Sequence, residues 1–97
     1  MSLVAAVVLC ALSDSASAAC EIRVQHVSSA VTSVMACEAG ALNALDTVIS
    51  ILENDVSFQV LAADAFCYQE KDVETNIDRQ VIELEAIGFP VRVRMYK

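Results

Sequence analysis

The stretch from Val27 to Glu53, VSSAVTSVMACEAGALNALDTVISILE, limits the folds open to this chain more than any other. Only Glu38, Asp46 and Glu53 are charged in it. At helical period, Val27, Val31, Val34, Leu42, Leu45, Ile49 and Leu52 share one face, and Cys37, Ala41, Ala44, Val48 and Ile51 an adjoining one. Ser29, Thr32, Ser33, Asn43, Thr47 and Ser50 leave only a narrow neutral stripe. A helix with so broad an apolar arc buries more than one side. Gly40 costs about 1 kcal/mol against Ala inside a helix, and the Val/Thr run before it also suits a strand. The helix is therefore expected to be firm from Ala39 or Ala41 to Glu53, with the part before it read as helix in competition with strand. Ala36, Gly40 and Ala44, with Val48 one turn further on, form a row of mostly small residues that lets another backbone come close. Tight packing within one chain produces the same row, so it is a candidate interface and no more.

Composition enters because the apolar surplus must go somewhere. Ninety-seven residues, 57% of them apolar, make one domain (residues 1–97) that buries roughly two-thirds of its unfolded surface. That apolar share exceeds what one small domain hides. No uninterrupted apolar run approaches the roughly 20 residues of a membrane span, so the expectation is no transmembrane segment and a homo-oligomer or other protein subunits as partners. A net charge of −7 with six basic residues argues against nucleic acid, whose phosphates demand Lys and Arg.

Ser2 to Leu12 is continuously apolar and leads into the polar Ser13–Ser17, which reads as a turn. A buried strand or short helix is expected here. The competing reading is a secretory leader ending at the Ala16-Ser17-Ala18 pattern, with cleavage near Ala18, although its start carries no Lys or Arg. Ala19 to Val27 alternates, with Cys20, Ile22 and Val24 on one side and Glu21, Arg23 and Gln25 on the other, which predicts a half-buried strand. Asn54-Asp55 breaks the long helix, and Val56, Phe58 and Val60 begin another strand. Leu61 to Tyr68 fits no single period.

Val73, Ile77, Val81, Leu84 and Ile87 stripe a second helix, with Asp72 placed to cap it. Gly88 supplies a left-handed residue after it, Phe89 can pack back on Leu84, and Pro90 forbids continuation. Val91 to Lys97 alternates, with Val91, Val93 and Met95 inward. The expected fold is α+β: a small single domain with two helices packed on one face of a mixed or antiparallel sheet of about four strands. A mainly helical bundle with a short C-terminal strand is the alternative.

Chemistry-bearing residues are sparse. Cys10, Cys20, Cys37 and Cys67 lack the spacing of a zinc site and read as buried free thiols, though an even count permits disulfides in an exported chain. His26, the sole histidine, would need Cys37 or Cys67 beside it to act as a base. Glu83 and Glu85 point apart on a helix and belong to a solvated face. No catalytic residue, metal site or cofactor is expected. The last eight residues hold Arg92, Arg94 and Lys97, a basic edge on an otherwise acidic body. It matches the acidic helix before it, docks on an acidic face of a neighbouring copy, or holds an anionic ligand. These observations favour a non-enzymatic structural or interaction protein that self-associates or joins a larger assembly, such as a virion or other multisubunit particle, through Ala36, Gly40, Ala44, Val48, Arg92 and Arg94. A small ligand-binding domain or enzyme with a site between sheet and helices, and an exported domain, are the alternatives.

Overall fold

The computed structural model describes residues 2–13, 18–54 and 58–96. Six elements follow one another: β1 (Leu3–Ser13), β2 (Ala18–His26), α1 (Val34–Glu53), β3 (Phe58–Gln69), α2 (Glu70–Ala86) and β4 (Val91–Tyr96). The expected turn at residues 14–17, the leader's Ala16-Ser17 and the strand start at Val56 lie outside the described residues. The fold is α+β, with two helices and a four-stranded mixed sheet in the order β3-β1-β2-β4.

β1 sits inside the sheet, antiparallel to β2 on one side and to β3 on the other. Its unbroken apolar run follows from that position. Val4, Ala6, Val8 and Cys10 are buried on one face, while Leu3, Ala5, Val7 and Leu9 pack against the other. A strand covered on both faces has no polar side. Cleavage near Ala18 would therefore remove a strand paired along both edges.

The helices do not share a face. Cys37, Ala41 and Leu45 of α1 pack on the Leu3–Leu9 side, whereas Ile77 of α2, with Val73, Val81 and Leu84, packs on the Val4–Cys10 side. Topology explains this correction. β2 and β3 both run antiparallel to β1 and therefore parallel to each other, so α1 is a crossover in one direction across the sheet. β2 pairs parallel with β4, so α2 is a crossover back in the other direction. Crossovers keep one hand, and reversing the direction with the hand fixed moves the second helix to the opposite face.

Local signals set the helix limits. α1 begins at Val34, inside the stretch before Ala39 where helix and strand compete, because the Ser33 hydroxyl accepts a 3.0 Å bond from the Ala36 N–H and so satisfies an otherwise orphaned donor. Gly40 is tolerated in the second turn. α2 ends as its sequence predicts. Gly88 has φ +99°, its N–H donates to Glu85 O and that of Phe89 to Leu84 O, and Phe89 packs on the core. Asp72 does not cap α2; it lies in the first turn, after Gln69 at the cap position. Ile87 is exposed rather than part of the buried stripe. In β4 only Val91 reaches the core, while Val93 and Met95, on the α2 side as expected, remain exposed.

All four cysteines are bridged, which overturns the free-thiol expectation. Cys10 and Cys20 are directly opposite partners in the β1–β2 pair. Cys37 of α1 meets Cys67 of β3 with 6.2 Å between Cα atoms. Buried apolar surroundings and disulfide bonding are compatible, and burial alone misled the reading.

Candidate functional site

Each helix covers only part of its sheet face, and a cleft opens beside each. On the α1 side the buried contacts reach β1 and β3, leaving the outer side of β2 and β4 without a helix over it. The resulting groove, about 850 Å³, has Val7 and Leu9 in its floor, Ala36, Gly40, Ala44 and Val48 along one wall, and Arg23 and Arg92 on the other side. Five of the six residues singled out from sequence as an interface thus line one groove. The sixth, Arg94, stands next to it: its Nε forms an ion pair with Glu21 Oε1 at 3.3 Å, and Arg23 Nε donates to the same oxygen at 2.7 Å. The register places Arg92 beside Glu21 and Arg94 beside Arg23, on the sheet face opposite α2, so the basic edge does not answer the acidic helix that precedes it.

Helix α1 is strongly exposed for so apolar an element. Met35 is 82% and Ile51 65% accessible, and Val34, Leu42 and Val48 are also exposed. Counting uninterrupted apolar runs understated this helix. At 20 residues and a mean hydropathy of 1.3 in its most apolar window, it has the length and composition of a membrane span, with 17% of that window buried. The Cys37–Cys67 bond nonetheless holds it against β3.

The second cleft, about 560 Å³, lies between α2 and β3. Gln80 Nε2 donates to the Tyr68 hydroxyl at 2.8 Å, while Gln80 Oε1 is buried without a partner. Burial pushes the Tyr68 phenol above its ordinary pKa of 10.0, and the Gln80 hydrogen bond and the positive charge of Arg79 pull it back part of the way. Arg79 Nη2 donates to Asn76 Oδ1 at 2.7 Å. Phe66 stacks near Tyr68 with ring centroids 6.2 Å apart. Sequence reasoning missed this cleft because Tyr68 lies in the stretch with no clear period and Gln80 on the polar side of α2.

The proposed catalytic pairing of His26 with a cysteine is excluded, since Cys37 and Cys67 are bonded to each other. Among the described residues no group of three or more His, Cys, Asp or Glu side chains is placed to hold a metal ion, and no polar or charged residue is buried. No family model matches the chain, and no curated protein or solved structure shows significant similarity to it.

Proposed function

We propose that this protein is a non-enzymatic structural subunit that self-associates in a compartment where disulfides persist. The observation that carries the reading is the open apolar groove beside an exposed apolar helix, both built from the residues whose pattern demands a partner. Surface area supports it. The chain exposes 6309 Å², against about 5,400 Å² expected for a 10.4 kDa monomer from the size scaling of folded proteins. The two disulfides support the compartment, because such bonds form and persist in oxidising surroundings.

The test is the dependence of thermal stability on protein concentration with both disulfides intact. Self-association shifts the folded state by mass action. For a dimer, a tenfold rise in concentration adds about 0.7 kcal/mol per chain, which raises Tm by about 3 °C at an unfolding entropy of roughly 0.2 kcal/mol/K for a domain of this size. A Tm independent of concentration over two decades would overturn the reading.

A second reading, a small-ligand site in the α2–β3 cleft, is favoured by one observation: the unpartnered acceptor Gln80 Oε1 next to Tyr68. Such an atom calls for a donor. A ligand supplying one would raise Tm in a saturable way and lose that effect in Gln80→Leu.

A further inference from the structure

The groove beside α1 has the dimensions and charge of a site for another helix. Two strands span about 9.6 Å across a sheet, and an α-helix with its side chains is about 10 Å wide, so the uncovered β2–β4 strip has room for one helix at the level of α1. Among the described residues the strip carries Arg92 and Arg94 at its edge, with Arg23 and the carboxylate of Glu21 beside them. α1 carries Glu38, Asp46 and Glu53 and no Lys or Arg. Helix and strip are thus oppositely charged and belong to the same chain, which is the requirement for an isologous two-fold contact.

Resting on the self-association reading above, we infer that the groove receives helix α1 of a second copy of this chain. Each copy then lays its α1 over the partner's β2–β4 strip, and both helices form one layer between two sheets. The rows of Ala36, Gly40 and Ala44 face each other across the two-fold axis, where small side chains permit close approach. The acidic side of α1, about half a turn away from that row, comes over the partner's edge strand with Arg92 and Arg94. Met35 and Ile51, exposed in the single chain, are covered.

The fold leaves room for a clean test at Gly40. A Cβ built there meets nothing within 4 Å, and Gly40 lines the groove, so Gly40→Leu is expected to keep the fold and to obstruct what enters the groove. Sedimentation equilibrium on the oxidised protein is expected to give a dimer for the natural sequence and a dissociation constant raised at least 100-fold for Gly40→Leu, with unchanged circular dichroism. Arg92→Glu/Arg94→Glu and Asp46→Lys/Glu53→Lys are each expected to be monomeric alone. Mixed one to one they restore a heterodimer, because both strip–helix contacts then regain opposite charge. A natural-sequence dimer that all these variants leave intact overturns this interface while keeping self-association. A monomeric natural sequence overturns both. A monomer that floats with phosphatidylcholine vesicles through its intact α1 assigns the exposed face to a lipid surface and likewise overturns the dimer.

Discussion

Removing the Cys37–Cys67 bridge by Cys37→Ala/Cys67→Ala tests how this small domain is held together. α1 meets the sheet through only three buried residues, Cys37, Ala41 and Leu45, so the bond is a large part of its attachment. The bridge closes a 30-residue separation, and the loop-closure entropy it removes from the unfolded chain corresponds to about 3.6 kcal/mol at 25 °C. A domain of this size has a total stability of about 5–15 kcal/mol, so the loss is a major fraction of it. With an unfolding entropy of roughly 0.2 kcal/mol/K, Tm should fall by about 18 °C. The Cys10–Cys20 bridge closes a separation of only 10, worth about 2.7 kcal/mol on the same basis, and Cys10→Ala/Cys20→Ala should lower Tm by about 13 °C. Differential scanning calorimetry of the two double variants checks both the size and the order. A fall under about 5 °C for the Cys37/Cys67 variant, or a clearly larger fall for the Cys10/Cys20 variant, would refute the reasoning.

Further outcomes follow from single positions. Gly40→Ala should stabilise the fold by about 1 kcal/mol in urea denaturation, because Ala is the better helix former and the added methyl group meets open space; a destabilisation would mean that the helix interior is not as described. Gly88→Ala should cost about 1–2 kcal/mol for a left-handed backbone, again with no steric clash at the site. Ser33→Ala should cost about 1 kcal/mol, measured in the same way, through loss of the bond to the Ala36 N–H. Tyr68 should ionise above 10.0 in an ultraviolet titration. The unfolded chain then releases that proton at lower pH than the folded one, so stability falls as pH rises through 10 and beyond. Tyr68→Phe should flatten that part of the alkaline loss.

Much of the fold is legible in the sequence because its signals are local. The alternation of Ala19–Val27 predicts β2, and Gly88-Phe89-Pro90 predicts the end of α2 with its hydrogen-bond pattern. Continuous apolarity at Ser2–Leu12 allows a buried strand but not its place inside the sheet, which depends on both neighbours. The start of α1 is the least legible part of that helix, because Gly40 and the β-branched run compete with Ser33, a single capping residue. The placement of the helices on opposite faces is not legible in the sequence, because direction of travel across the sheet is a property of strand order, which periodicity does not encode. Disulfide pairing was hidden for the same reason: Cys10 and Cys20 become partners through register, and Cys37 and Cys67 through the packing of α1 on β3. For the candidate surface, the row Ala36, Gly40, Ala44 and Val48 and the basic residue Arg92 could be singled out one by one, but only the fold brings them around one groove.

The most direct test is the native mass of the oxidised 97-residue chain by size-exclusion chromatography with multi-angle light scattering, at two concentrations about a hundredfold apart. Twice the 10.4 kDa chain mass is expected at the higher concentration, with any dissociation confined to the lower. A mass equal to one chain at both concentrations would contradict self-association and leave the exposed face of α1 without the partner proposed for it.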